Sequence, residues 1–118
     1  MVQRFQPATL SLEELPPIDY IVISHDHYDH LDMRSVQFFR DKEATFLVPL
    51  GIKSHLEYWG VASKNIVELD WWADHEFEGI RFVCTPAQHF SGRTGTNQTT
   101  LWASWVVDSP NSKIYFSG

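Results

Sequence analysis

The sequence contains little cysteine, has few basic residues and lacks long apolar runs. Cys84 is the one cysteine among 118 residues, so an internal disulfide is impossible and a zinc finger built on two or more thiolates is excluded. Lys and Arg number 9 against 15 Asp and Glu, and the formal net charge of −6 argues against nucleic-acid binding. No run approaches the ~20 apolar residues of a transmembrane helix, so we expect no membrane span.

The composition is that of a globular protein. Hydrophobic residues make up 43% of the chain and charged residues 20%, a balance that is not typical of disorder. A chain of 118 residues favours one domain with a modest core. Cys84 lies in an apolar run, and free cysteine is usually buried, so we expect a structural thiol at this position.

The first part of the chain alternates predicted strands and helices. Short apolar or β-branched runs predict strands at 18–24, 44–48 and 65–69. Apolar residues at helical spacing predict helices at 33–40 and 52–59. This alternation is typical of βαβ units with parallel strands and predicts an α/β fold.

The first helix has a recognisable start and a predicted buried face. Asp32 precedes the helix and is a favourable N-cap residue. Met33, Val36 and Phe39 recur every third residue, so we expect all three to lie on the face that packs against the core.

The pattern changes in the second part of the chain. Residues 76–83 alternate polar and apolar side chains around a glycine, which predicts antiparallel strands. A long polar loop is predicted at 90–98, followed by strands at 100–107 and 113–116. The whole chain is therefore predicted to form a mixed sheet with flanking helices.

A cluster of histidines follows the first predicted strand. Half of the six histidines lie between residues 25 and 30, together with Asp29. Imidazole and carboxylate suit zinc or another first-row divalent metal. Because residues two apart on extended backbone point the same way, His25 and His27 are predicted to share one metal. Asp29 and His30 are predicted to face a neighbouring metal.

A third ligand for the first metal must come from elsewhere in the chain. His89 is the best candidate because it also follows an apolar strand and should lie at a strand end. His55 and His75 lie in a helical stretch and a charged stretch, and a polar residue with ordinary partners is the favoured interpretation for both.

The segment from His25 to His30, with the sequence HDHYDH, resembles the HxHxDH signature of the metallo-β-lactamase superfamily. The wider sequence resembles the N-acylphosphatidylethanolamine-hydrolysing phospholipase D group and its bacterial relatives. That signature alone specifies only the superfamily, whereas the Gln-His-(aromatic)-Ser-Gly-Arg and Leu-Trp-Ala-Ser-Trp stretches narrow the resemblance. The matching stretches cover most of the chain from about residue 14 onward and lie at 15–19, 27–32, 48–51, 70–72, 85–93 and 101–105.

The resemblance implies a two-zinc site inside an αββα sandwich. It assigns His25, His27 and His89 to the first zinc, and Asp29 and His30 to the second. In the family, a bridging aspartate follows a strand like the one that ends this chain, a last histidine lies on a later strand, and further strands precede the cluster. We therefore expect residues 1–118 to be a single partial domain with strands missing at both ends, which binds at most one zinc tightly.

The resemblance also implies zinc-assisted hydrolysis of the phosphodiester of N-acyl phospholipids. Asp29 would orient or deprotonate the attacking water. Arg93, just past His89, would meet an anionic group, or alternatively be an ordinary exposed arginine of the loop. Trp71, Trp72 and Phe90 would form an apolar wall for acyl chains. Two alternatives remain: a hydrolase of the same fold that acts on a lactone or a sugar phosphate ester, and a metal-binding fragment without activity.

The expected partners follow from the same interpretation. They are a phospholipid or another anionic ester as substrate, and a second copy or a complementing chain that covers exposed sheet edges and faces. We expect the protein to be cytoplasmic, with peripheral association at a membrane as a further expectation.

Overall fold

The computed structural model describes residues 5–118, apart from the side chains of residues 96 and 97. Short 3-10 helices lie at Leu12–Glu14 and Ser63–Asn65. The longer elements, in chain order, are β1 (Tyr20–Val22), α1 (Met33–Phe39), β2 (Thr45–Pro49), α2 (Ile52–Tyr58), β3 (Ile66–Leu69), β4 (Asp74–Phe77), β5 (Ile80–Thr85), β6 (Gly92–Arg93), β7 (Thr96–Asn97), β8 (Ser104–Asp108) and β9 (Lys113–Phe116).

The first sheet is parallel and has the order β1-β2-β3. Each connection between its strands passes through a helix, α1 or α2, because parallel strands need a crossover. The predicted βαβ arrangement is therefore confirmed. The central strand β2 is the most buried, with four of its five residues inside the protein.

Helices α1 and α2 cover one face of this sheet. Val36 and Phe39 of α1 join Ile52 and Leu56 of α2 in one core cluster. The Asp32 carboxylate accepts a hydrogen bond from the Ser35 backbone N–H at 2.9 Å, so the predicted N-cap is confirmed.

The predicted burial of Met33 is wrong, because 42% of this residue is exposed. Residues three apart on a helix differ by about 300° in direction, so a spacing of six residues separates Met33 from Phe39 by roughly 120°. Burial of Val36 and Phe39 therefore leaves Met33 at the margin of the packed face.

The second sheet is antiparallel and has the order β4-β5-β8-β9. Phe82, Cys84 and Trp105 on its inner face pack against Leu47 on the other face of the first sheet. The Trp105 indole N–H also donates to the Ile23 carbonyl oxygen at 2.9 Å, directly after β1. The protein thus has three layers: helices, parallel sheet and antiparallel sheet.

Cys84 is fully buried between the sheets, as predicted. Burial raises the pKa of its thiol to about 12. The thiol therefore stays protonated and unreactive at neutral pH.

The predicted strand at 100–107 begins later, at Ser104. The Leu101 N–H donates to the Leu50 carbonyl and the Ala103 N–H donates to the Ser24 carbonyl, both at 2.8 Å. These residues therefore bond to segments that follow β1 and β2, and they join the two sheets at one end.

The loop predicted at 90–98 contains a short hairpin of β6 and β7. These two-residue strands are too short for an alternating pattern of polar and apolar residues to predict them. No helix within residues 5–118 is both long and apolar enough to cross a lipid bilayer.

Gly51 permits a close approach between two backbone segments. It has a φ of +90°, and a Cβ at this position would lie 3.1 Å from the Thr100 Cα and 3.2 Å from the Thr99 carbonyl oxygen. We expect Gly51→Ala to lower the free energy of unfolding by about 2–3 kcal/mol, because left-handed strain and a backbone collision act together.

Gly79 supplies the matched control for this prediction. Its φ is +82°, but a Cβ there would meet no atom within 4 Å. Gly79→Ala should therefore cost only about 1 kcal/mol, from backbone strain alone. Urea denaturation of both variants measures the difference, and equal losses would contradict a steric role for the Thr100 segment.

Candidate metal centre

The histidines of the predicted site lie at one end of the two sheets. His25 and His27 follow β1 of the parallel sheet, and His89 follows β5 of the antiparallel sheet. The contact between the Ala103 N–H and the Ser24 carbonyl joins the sheets at this end. Ligands from opposite sheets therefore converge at one place.

Three imidazole nitrogens lie close enough together to bind one metal ion. Nε2 of His89 lies 3.0 Å from Nε2 of His25 and 3.3 Å from Nδ1 of His27. All three donor atoms lie within 4.8 Å of one another. Tetrahedral zinc with Zn–N bonds of about 2.05 Å requires N···N separations of about 3.3 Å, so the donor set fits a first-row metal.

The surroundings of His25 favour a neutral ring that coordinates through Nε2. His25 is buried, and its Nδ1 lies 2.9 Å from the Ser24 hydroxyl. Burial, followed by the neighbouring His30, His89 and His27, lowers the pKa of His25 to about 4. Coordination through Nε2 leaves the proton on Nδ1, where it can donate to Ser24 Oγ and hold the ring in place.

Asp29 and His30, the predicted ligands of a second metal, lie beside the group of His25, His27 and His89. With no third candidate ligand among the described residues, they do not form a second group of three. The Asp29 carboxylate is 3.6 Å from His30 Nε2, and its side chain is 81% exposed. The His30 ring lies 4.2 Å from the His25 ring, centroid to centroid. Among the described residues, the only group of three candidate metal ligands is His25, His27 and His89, so the second metal stays a prediction.

A cleft of about 360 Å³ adjoins the histidine group at His25 and His89. His25, His30 and His89 form part of its wall, and Trp102 and Tyr115 form another part. The Trp102 indole N–H donates to the Ala87 carbonyl at 2.9 Å, which fixes one side of the cleft. The site is therefore accessible to a small molecule or to the reacting end of a larger one.

The three aromatic residues predicted to contact substrate have different surroundings. Phe90 is 53% exposed, and its ring lies 4.7 Å from the His27 ring and 5.0 Å from the His89 ring. Trp71 packs between the sheets and donates its indole N–H to the Trp102 carbonyl. Trp72 is 72% exposed, with a φ of +68°. Of the three, Phe90 lies directly beside the histidines.

Arg93 makes contacts that sequence reasoning did not find. Its Nη1 donates to the Asp26 carbonyl at 2.7 Å and to the Leu31 carbonyl at 2.8 Å. The predicted contact of Arg93 with an anionic substrate stays a prediction.

Asp26 was also missed by the sequence analysis. It is fully buried, and its Oδ1 accepts a hydrogen bond from the Gly92 N–H at 2.7 Å. Its Oδ2 lies 3.8 Å from His55 Nε2. These partners are far from Asp26 in sequence, and no local pattern identifies them.

His55 and His75 lie outside the metal group. The His55 ring stacks on the Trp59 ring, and burial is the main cause that lowers its pKa. His75 lies on β4, and its ring is 4.3 Å from the Phe77 ring. Neither belongs to a described group of three candidate metal ligands, and the interpretation of both as polar residues with ordinary partners stays a prediction.

The chain matches a known protein family over its whole length. The family model described as "Beta-lactamase superfamily domain" matches residues 1–118. The chain belongs to this family. The predicted partial metallo-β-lactamase fold, with mixed sheets and flanking helices, is thereby confirmed, and this fold implies binding of a divalent metal at the histidine group.

Curated relatives of this family member are much longer than the chain. It is 50% identical to an uncharacterized protein of Mycobacterium tuberculosis over 117 residues, which cover 98% of the chain and 32% of that protein. It is 37% identical to the N-acyl-phosphatidylethanolamine-hydrolyzing phospholipase D 1 of Caenorhabditis elegans over 127 residues, covering 98% of the chain and 35% of that protein. The chain thus spans about a third of the length of these relatives.

A solved structure shares the fold. The diiron β-hydroxylase CmlA of Streptomyces venezuelae superposes with a TM-score of 0.72 at 20% identity, over 89% of the chain and 21% of CmlA. Identity at this level supports the fold alone.

Proposed function

We propose that this domain belongs to a zinc-dependent hydrolase that cleaves the phosphodiester of N-acyl phospholipids. The observation that carries the proposal is the convergence of His25, His27 and His89 on one point beside an open cleft. The substrate class is supported by the relative in Caenorhabditis elegans, whose name states that it hydrolyses N-acyl-phosphatidylethanolamine.

The proposed chemistry combines a bound metal with groups of the chain. When bound, a divalent ion supplies Lewis-acid chemistry, which acidifies water and neutralises charge on an ester oxygen. Asp29 is proposed to orient the attacking water and accept its proton, a role for which its exposed carboxylate is accessible. The released proton then passes to the departing alcohol.

The apolar part of the substrate is proposed to contact aromatic side chains, of which Phe90 lies beside the ligand histidines. Phe90 contacts two of the ligand histidines, and Trp72 is the most exposed tryptophan assigned to this role. Trp71 would contribute through its packing against Trp102 rather than through its indole N–H, which is already engaged. A cytoplasmic location with peripheral contact at a membrane belongs to the same proposal.

Hydrolysis assays test this function. The chain, loaded with zinc, is incubated with vesicles that contain N-acyl-phosphatidylethanolamine, with a soluble aryl phosphodiester and with a lactone. We expect chelator-sensitive cleavage of the phospholipid and, more slowly, of the diester. The His75→Ala variant is the matched control, because His75 lies outside the metal group and should keep full activity.

Other results of these assays would contradict either the proposed substrate or the proposed role of the metal. Cleavage of the lactone alone would replace the proposed substrate class. Tight zinc binding without turnover of any substrate would leave a metal-binding domain without activity. Turnover that persists in His25→Ala would contradict the metal mechanism.

We also propose that residues 1–118 form a single partial domain that associates with a second copy or a complementing chain. Within the described residues, β1 and β9 lie at sheet edges. Ile114 and Phe116 lie in register with the inner-face residues Val107 and Trp105, yet they are 57% and 40% exposed. Exposed strand edges and apolar faces favour association.

Light scattering after size-exclusion chromatography tests the association. We expect a mass above that of one 13.7 kDa chain and a reduced mass for Ile114→Lys, which places a charge on the exposed inner face. Tyr58→Lys is the control, because Tyr58 is 88% exposed on α2, away from this face. A monomeric wild-type chain with a cooperative thermal transition would contradict the proposal.

A further inference from the structure

Arg93 bonds to both ends of the segment that carries two of the three grouped histidines. We call residues 25–31 the metal loop. The Arg93 Nη1 donates at 2.7 Å to the carbonyl of Asp26, near the start of the loop, and at 2.8 Å to the carbonyl of Leu31, its last residue. One nitrogen therefore spans the loop and satisfies two backbone acceptors inside the protein.

The guanidinium of Arg93 packs over two aromatic rings. Its carbon atom lies 4.1 Å from the centre of the Tyr28 ring and 5.3 Å from the centre of the Trp59 ring. Such cation–π contacts are attractive, and more strongly so where the cation is shielded from water. The Tyr28 hydroxyl in turn lies 2.7 Å from the Thr94 hydroxyl, so the residue after Arg93 is also connected to the metal loop.

Asp26 adds a third connection between the same two segments. Asp26 lies between His25 and His27 in sequence. Its side chain is fully buried, and its Oδ1 accepts a hydrogen bond from the Gly92 N–H at 2.7 Å. Gly92 and Arg93 follow His89 by three and four residues. The segment after the third ligand is thus fastened to the loop that carries the first two.

We infer that Arg93 is a positioning residue, which clamps the metal loop to the segment after His89 and so sets the distances among the three ligand nitrogens. This inference rests on the proposed metal site but not on the proposed substrate. It differs from the expectation that Arg93 binds an anionic group, because the carbonyls of Asp26 and Leu31 already engage Nη1.

Loss of the Arg93 side chain is expected to weaken metal binding, because groups that orient metal ligands affect affinity without touching the metal. Loss of such a group typically weakens metal affinity about 10–100-fold. Arg93→Gln removes the charge and the clamp, so we expect a loss near the upper end of this range. Arg93→Lys keeps a donor but loses the planar group that stacks on Tyr28, so its loss should be intermediate.

Zinc titration in competition with a chromophoric chelator measures these affinities in the 118-residue chain. The visible d–d bands of bound Co²⁺ supply a second readout, since they respond to the geometry of the ligands. Arg81→Gln is the matched control: Arg81 pairs with Asp74 at the surface end of β5 and should leave both readouts unchanged. Thermal melts of the metal-free variants, recorded in parallel, separate loss of folding from loss of metal binding.

The outcomes separate this inference from the proposed function. Weaker zinc binding and altered Co²⁺ bands in both Arg93 variants, with a melting temperature of the metal-free chain close to that of Arg81→Gln, would support the clamp. Wild-type zinc affinity in both Arg93 variants would overturn the inference while leaving the metal site intact. A wild-type chain that binds no zinc would overturn both proposals.

Discussion

We expect His25→Ala to lower the affinity of the chain for zinc by ~100-fold or more and to abolish the proposed hydrolysis. Structural zinc sites with four ligands are worth roughly 10–16 kcal/mol, or about 3 kcal/mol per ligand, which is ~100-fold in affinity. His25 is the central member of the group, because its ring lies 4.2–4.6 Å from the rings of His27, His30 and His89.

Equilibrium dialysis with metal analysis measures this effect. The wild-type chain should retain one zinc per chain, in line with the single group of three ligands among the described residues. His75→Ala should retain the same amount, since it removes an imidazole outside the group. Two equivalents held by the wild type after dialysis would refute the expected single tight site, and one equivalent held by His25→Ala would refute the assignment of ligands.

Trp105→Ala should cause the largest loss of stability among single core substitutions. The side chain is fully buried between the sheets, and its indole N–H donates to the Ile23 carbonyl two residues before His25. Removal of a buried tryptophan typically costs about 3–5 kcal/mol, and the carbonyl left without its partner adds to this loss. A domain at the lower end of the usual range of stability, about 5 kcal/mol, would then be close to unfolding.

Chemical denaturation followed by circular dichroism measures the loss. Trp72→Ala is the matched control, because it removes the same side chain from a position that is 72% exposed, where substitutions usually change stability by less than about 0.5 kcal/mol. Similar losses in the two variants would show that the packing between the sheets does not carry the stability of the chain. If Trp105→Ala also weakens zinc binding, the Ile23 contact supports the metal loop as well.

Local sequence patterns were enough to predict those helices and strands whose hydrogen bonds join residues close in sequence or follow a regular repeat. The strand at β2, the helix α1 with its Asp32 cap, and the Gly79 hairpin follow from periodicity and capping chemistry. The start of β8 did not follow, because Leu101 and Ala103 donate their N–H groups to segments outside the sheet. Residues with strand-like composition take part in a strand only when a neighbouring strand accepts their bonds.

The same distinction applies to the candidate site. The spacing of His25 and His27 was enough to predict a shared metal, and the structure brings their nitrogens together with that of His89. The contacts of Asp26 and Arg93 bridge 62 to 67 positions in sequence, so no local pattern could reveal them. An arginine that follows a ligand histidine suggests substrate binding in sequence, whereas in the structure the Arg93 Nη1 donates to two backbone carbonyls.

The origin of the three ligands in different sheets has a consequence for the lifetime of the protein. His25 and His27 extend from the parallel sheet and His89 from the antiparallel sheet, so a bound ion would tie the two halves of the sandwich together. Free metal at 100 times its dissociation constant would stabilise the folded chain by about 2.7 kcal/mol. Proteases cleave the opened state, and this stabilisation would lower the population of that state ~100-fold. The rate of degradation would fall accordingly, so the abundance of the protein would rise with the concentration of free metal.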